Sequence, residues 1–493
     1  PLGSILRTTL LVPVGLVPPG ALRGHLADAV LQLLPLVLTA LAVVPLARLA
    51  RLAGADRRTA PTLAGALVLA TFLGPLGTSD FQEPIVVFLS AWSLERVLLA
   101  RRLIGVRRFK ALALSGCLAA FSLLAKPTAL VLVPALLIAT ARPLRRPVRA
   151  RDFGALLSGF APGLAAFLAL NAIRFGNPLD FGYRFGHFLP GAERLPLVWT
   201  ALRLTVFPNR GLLFFAPLLL LAFFVPLKDR LTEPLRTDCA AALVAAGGFF
   251  ASNLWWWSWE GGFGWGPRLL APAVALSIPW LVSRGRSWRV AACALALAGF
   301  ALNLPAYLLD DGRIYALALE RGPGDPLGPA MPRHRDPGDP ARVHPYQRVH
   351  YVPSEASWIE GPRILLELLG RGDGKWAGGT AGDERKDSVL LRLLLGKPCF
   401  HEYSGVGRLL LDDAEIASDV EPERALKFAR AAVDFGGPPL DARALSSMLL
   451  LRRGRAAEAA EICREALALD PSRADVRSNL AIAEEMLRKD AAR

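Results

Sequence analysis

RRLIGVRRFKALALSGCLAAFSLLAKPTALVLVPALLIATARPLRRPVRAR, residues 101–151, contains in one stretch the pattern that decides the fold. Two arginine-rich segments bracket two apolar runs, 110–125 and 127–141, which meet at Lys126-Pro127. An apolar run approaching roughly 20 residues is near the length a helix needs to cross the hydrocarbon core of a bilayer. Lys and Arg collect in cytoplasmic loops. The stretch therefore reads as a chain that leaves the cytoplasmic side and returns to it, with a buried re-entrant pair as the other reading of so tight a junction.

Working outward, apolar runs recur at 29–47, 60–77, 84–100, 153–171, 210–227, 239–256, 268–283 and 290–308, which makes ten expected spans. Alternate loops carry Arg48, Arg51, Arg57 and Arg58; Arg101, Arg102, Arg107, Arg108 and Lys110; Arg142, Arg145, Arg146, Arg149 and Arg151; Lys228, Arg230 and Arg236; Arg284, Arg286 and Arg289. All five clusters share one side if every span is counted, and that side is expected to be cytoplasmic. The opposite face then receives 77–83, the loop 172–209, the tryptophan-rich 255–267 and everything after 309. The chain starts at Pro1 and reads as native sequence lacking its upstream part, with 9–22, broken by Pro13, Pro18 and Pro19, as an interfacial segment.

Composition agrees. The 493 residues are 53% hydrophobic, with 57 Lys+Arg against 42 Asp+Glu for a net charge of +15, and the mean hydropathy is +0.37. Because the basic residues punctuate apolar runs instead of gathering on one soluble face, the charge argues against a nucleic-acid partner. The five cysteines show no CxxC and no metal-ligand spacing. Cys399 and Cys463 are the pair that an oxidising compartment could join. His334, His344 and His350 are too irregularly spaced, among prolines, to make a strong metal site. No Walker loop, GxGxxG or GxSxG is present, so ATP hydrolysis and serine-hydrolase chemistry lack support.

Ionisable groups at membrane depth cost roughly 2.5–3.5 kcal/mol at a helix centre, so those near the outer ends of spans are the first candidates for chemistry. In GTSDFQEP, residues 77–84, Asp80 and Glu83 could take a proton from an acceptor hydroxyl or hold a divalent cation; the plainer reading is an acid at a helix start. Arg174 and Tyr183 in NAIRFGNPLDFGY, residues 171–183, suit a phosphate and a sugar or prenyl face, or else anchor the membrane interface. Arg210 opens the seventh span, where phosphate binding and snorkelling predict the same residue. In WWWSWEGGFGWGPR, residues 255–268, glycines separate aromatic planes, with Trp259, Glu260 and Trp265 as candidate sugar or prenyl contacts and Arg268 as a phosphate donor; an aromatic belt alone would not need the glycines. Lys126 is a further outer-side cation.

After 309 the composition turns to Pro, Gly, His and Arg through DPGDPARVHPYQRVHYVP, residues 336–353, an extended linker or irregular arm followed by a small mixed region to about 415. From about 416 the pattern is Ala-rich helix. ERALKFARAAVDF aligns with AEAAEICREALALD at an offset of 34, pairing Ala425 with Ala459 and Ala432 with Ala466. That is the tetratricopeptide period, and LALDPSRADVRSNLA resembles the junction between such units; a plain helical hairpin cap is the alternative.

Taken in order, GTSDFQEP, LLAKPTALVLVPALL, NAIRFGNPLDFGY, NRGLLFFAPLLLL and WEGGFGWGPRLLAP, covering most of 60–283, resemble the glycosyltransferase-C superfamily, and within it dolichyl-phosphate-mannose-protein mannosyltransferase-like and ArnT-like membrane enzymes. The resemblance implies a polyprenyl-phosphate sugar donor, an acceptor reached from the periplasm, inversion at the anomeric carbon and a catalytic acid in the first outer loop. That first outer loop would follow a span upstream of Pro1, and no Asp-Glu pair stands at its position here, so either the catalytic acid belongs to the upstream part, or Asp80 and Glu83 act instead, or the chain is inactive as given. The expected protein is an all-α membrane protein, a polytopic helical bundle over 1–308, with a small extracytoplasmic region over 309–415 and tetratricopeptide-like helices over 416–493. It is expected in a bacterial inner membrane, acting on the lipid-linked sugar, possessing a divalent cation (Mg or Mn) as its only candidate cofactor and a protein partner on the tail. A non-catalytic assembly protein and a lipid or solute carrier are the rivals.

Overall fold

The computed structural model describes residues 13–16, 21–77, 82–144, 147–181, 197–225, 233–256, 265–283, 285–308, 335–336, 339–343, 411, 414–415, 418, 422–434 and 438–491. The chain divides into two compact units, one made of Pro1–Ile5 and Leu34–Leu393, the other of Leu6–Leu33 and Leu394–Arg493.

The first unit is a stack of helices: α1 Ala21–Leu52 (from Leu34 on), α2 Thr59–Leu69, α3 Leu73–Leu76, α4 Glu83–Ala100, α5 Gly105–Ala125, α6 Leu132–Ala141, α7 Ala150–Phe175, α8 Leu197–Thr205, α9 Leu212–Phe215, α10 Leu235–Leu254, α11 Ala271–Leu276 and α12 Arg286–Leu308. Among the described residues, four stretches, Leu33–Leu52, Gly105–Ala125, Ala150–Phe175 and Arg286–Tyr307, are long and apolar enough to cross a membrane. The other expected spans are shorter or more polar. The second, fifth, seventh and ninth become brief helices or 3-10 turns, at Thr59–Leu69 with Leu73–Leu76, Pro127–Val131 with Leu132–Ala141, Leu212–Phe215 with Pro217–Phe224, and Arg268–Leu270 with Ala271–Leu276 and Ile278–Trp280. Proline explains much of this. Pro75, Pro127, Pro217, Pro272 and Pro279 each remove a backbone donor and break the helical ladder. The third and eighth spans keep helices of 18 and 20 residues, α4 and α10, but carry charges such as Glu95, Arg96 and Asp238.

Small and hydroxylated residues set the closest packing. A Cβ built on Gly116 of α5 would run into the Leu156 carbonyl oxygen of α7, and one on Gly159 into the Ala113 carbonyl. Glycine lets these two backbones touch, as in membrane helix pairs that associate through small residues. Between α4 and α5, Ser93 Oγ donates to the Ser115 carbonyl at 2.9 Å, Ser115 Oγ returns to the Ser93 carbonyl at 2.8 Å, and the Ser90 and Ser122 hydroxyls meet at 3.0 Å.

Charge closes one end of this unit. Buried Arg101 donates to Asp238, to Glu233 Oε2 at 3.0 Å and to the Arg142 carbonyl at 2.8 Å. Arg102 reaches Asp238 Oδ2 at 2.6 Å and the Leu52 carbonyl at 3.1 Å. Arg108 reaches Asp152 Oδ1 at 3.1 Å and the Ala100 and Thr140 carbonyls. Residues from four of the five expected basic loops thus meet at one end of the unit.

A short antiparallel pair, β1 Arg335–Asp336 and β2 Asp339–Val343, falls where an extended linker is expected. The second unit contains α13 Pro422–Asp434, α14 Pro439–Arg452, α15 Ala456–Leu469 and α16 Ala474–Ala491. Ala425, Leu426, Leu449, Leu450, Ala459, Ala460 and Ala483 share its main core, and Ala432 and Ala466 are also buried. The small residues aligned in the sequence are therefore those through which these helices touch.

Candidate functional site

Glu83 is the first residue of α4, which runs 18 residues to Ala100 beside the Arg101 cluster. At 1.5 Å per residue the carboxylate and that cluster lie about 25 Å apart, at opposite ends of the helix. Glu83 is buried. Lys126 caps the far end of α5 in extended backbone, the conformation favoured before a proline, here Pro127. Its ammonium donates to Glu83 Oε1 at 2.7 Å. The positive charge of Arg268 also acts on Glu83. Three segments far apart in sequence therefore bring one carboxylate and two cations together.

The chain leading to Arg268 is fixed from several sides. Trp265 is buried, its ring edge-on to Phe215 at 5.8 Å, and its Nε1 donates to Asn303 Oδ1 at 2.8 Å. Asn303 Nδ2 donates in turn to the Phe215 carbonyl at 3.2 Å and the Gly299 carbonyl at 2.8 Å. Gly266 takes a φ of +64°, which suits a residue without a Cβ. Arg210, also buried, donates to the Gly266 carbonyl. Arg210 and Trp265 thus brace the turn from which Arg268 emerges.

Of the residues singled out from sequence, Glu83, Lys126 and Arg268 come together, with Arg210 and Trp265 behind them. Arg174 is exposed near the end of α7, its guanidinium over the Phe175 ring at 4.9 Å, the placement of an interface anchor. Asp80, Tyr183, Trp259, Glu260, Cys399, His334, His344 and His350 lie outside the described residues. Sequence reasoning passed over Asn303, the one amide within the 290–308 run and visible there as a polar group in an apolar segment. It also passed over Arg203, which is buried on α8 with its guanidinium over Phe207 at 5.8 Å; nothing in its local pattern separates it from an anchor.

No cluster of three or more His, Cys, Asp or Glu able to hold a metal occurs among the described residues. Glu83, bonded to one cation and facing another, is a poor ligand for a divalent cation, so no step is routed through a metal. Comparison with known proteins gives no match among family models, curated proteins or solved structures.

Proposed function

We propose that the chain is a membrane glycosyltransferase that moves a sugar from a polyprenyl-phosphate donor to an envelope lipid, glycan or protein on the extracytoplasmic side. The convergence of Lys126 and Arg268 on buried Glu83, at the end of the unit opposite the basic loops, is the observation that carries the reading. Two cations drawn to one place suit a phosphate that becomes more negative as it departs. In the reaction the acceptor oxygen forms a bond to the anomeric carbon as the bond to the phosphate oxygen breaks. The electron pair leaves with the phosphate, and the acceptor proton passes to a carboxylate, Asp80 or Glu83.

Lys126 and Arg268 stabilise the leaving phosphate electrostatically. Glu83 holds Lys126 in place until the donor arrives, and then stands beside the reacting groups. Arg210, Trp265 and Asn303 are positioning residues for the Arg268 turn, while Tyr183, Trp259 and Glu260 are assigned to the donor or acceptor path and Arg174 to the membrane interface. The tail is assigned as a tetratricopeptide-like platform for a protein partner.

Purified protein given radiolabelled undecaprenyl-phosphate sugars and envelope extract is expected to transfer label, with Glu83→Gln and Arg268→Ala each strongly reduced. Transfer unchanged in both variants would remove these roles. A non-catalytic assembly protein is the second reading, favoured by the helical tail and by a Glu83 already neutralised within the fold; it predicts no transfer by the unaltered chain.

A further inference from the structure

A second charged cluster lies away from the Glu83 group, near the basic end of the first unit. The Trp92 ring, on α4, carries two guanidinium groups, those of Arg48 and Arg96, each 5.0 Å from its centroid. Phe88 packs edge-on against the same ring at 6.4 Å. Arg96 is paired with the neighbouring buried Glu95, whereas Arg48 is exposed and makes no hydrogen bond to any described residue. The Trp92 Nε1 is likewise buried without a hydrogen-bond partner among the described residues.

Position says what environment this cluster meets. On α1, Leu36, Val37, Leu41 and Val44 form an exposed apolar stripe at helical spacing, and the next two exposed side chains on that stripe are Arg48 and Arg51. Arg48 and Arg96 each lie four residues, about 6 Å, from the basic end of their helix. An apolar outer face that ends in arginine marks the level at which hydrocarbon gives way to headgroups. Two arginines and one glutamate leave a single positive charge, matched by one phosphodiester. A headgroup bearing its own ammonium would be opposed by both arginines.

We propose that this cluster binds the headgroup of one anionic phospholipid from the leaflet at the basic end, between α1 and α4. Arg48 supplies the donors to the phosphate, Trp92 spaces the two guanidinium groups, Arg96 adds charge, and Glu95 restrains Arg96. Basic side chains between helices on this side of a membrane recognise anionic headgroups in this way.

Native mass spectrometry of the purified full chain, titrated with phosphatidylglycerol or phosphatidylcholine, tests the site. The unaltered chain is expected to hold one phosphatidylglycerol more tightly than phosphatidylcholine. Arg48→Gln should weaken that preference about fivefold, and Arg48→Gln with Arg96→Gln about 25-fold, since each basic group near a surface contributes a factor of that order. Arg96→Gln leaves Glu95 without its partner; if the double variant does not fold, exposed Arg48 alone decides, with Arg48→Lys expected to recover part of the binding. Equal retention of the two lipids, or a preference untouched by Arg48→Gln, overturns the proposal. Displacement of the lipid by inorganic phosphate alone also overturns it, because the site would then recognise the anion and not a lipid.

Discussion

The two ends of the first unit use charge in opposite ways. At the basic end Arg101, Arg102 and Arg108 are matched against Asp238, Glu233 and Asp152, and their remaining donors go to helix-terminal carbonyls at Leu52, Ala100, Thr140 and Arg142. Each of these arginines is thus paired with a carboxylate inside the fold. At the other end Lys126 bonds Glu83, the charge of Arg268 acts on the same carboxylate, and Arg210 and Trp265 brace the turn that carries Arg268. Charge at the basic end is paired within the protein and serves the fold, whereas the Glu83 group is where an anion is proposed to bind.

The comparison predicts that stability and activity separate between the two ends. The largest effect on stability is expected from Asp238→Ala, which removes the buried carboxylate shared by Arg101 and Arg102 and leaves Arg101 only the partly exposed Glu233; removing one partner of such a buried pair costs about 3–5 kcal/mol, read as a loss of unfolding free energy of the detergent-solubilised chain. Arg268→Ala is expected to lower sugar transfer by about 10²–10³-fold, as losing a preorganised charge does, while stability moves by less than about 2 kcal/mol. Equal losses of stability in the two variants would erase the distinction. Gly159→Ala tests the scaffold between the ends. The added methyl meets the Ala113 carbonyl, so stability should fall by about 1–3 kcal/mol without a specific loss of transfer.

The smallest effect belongs to the tail. Arg473 bonds Asp475 Oδ2 at 2.7 Å and Asp441 Oδ1 at 2.8 Å on a half-exposed surface, so Arg473→Ala should cost under about 1 kcal/mol. The bond from Arg473, helped by the Val476 backbone N–H, holds the Asp475 carboxyl down to about 2, below its ordinary 3.8. A carboxyl lowered in the folded state adds stability above its ordinary value and loses it as pH falls from there toward about 2. Protection of the α16 amides, measured against their intrinsic exchange rates, should therefore fall over that interval, and less so in Arg473→Ala.

Much of this was legible in the sequence for identifiable reasons. Arginine clusters beside apolar runs marked Arg101, Arg102, Arg108 and Arg142, which the fold does gather at one end. Glu83, Lys126 and Arg268 were legible as ionisable groups at the edges of apolar runs, where only a partner or a ligand makes them tolerable. The number of long spans was not legible. A hydropathy run does not register the backbone cost of Pro75, Pro127, Pro217, Pro272 and Pro279, which cut four of the ten runs into short helices and 3-10 turns. The bracing of Arg268 was hidden as well. It depends on Asn303 meeting Trp265 across 38 residues and Arg210 meeting Gly266 across 56, and no local pattern encodes either contact.

Sidedness is the most direct test. Single cysteines replacing Arg57, in a loop of the basic end, and Asn177, just beyond the opposite end of α7, would be exposed to a membrane-impermeant thiol reagent on intact cells, in a chain with its native cysteines replaced. The account predicts labelling at 177 and protection at 57 until the membrane is opened. Labelling of both from outside, or of 57 alone, would contradict it.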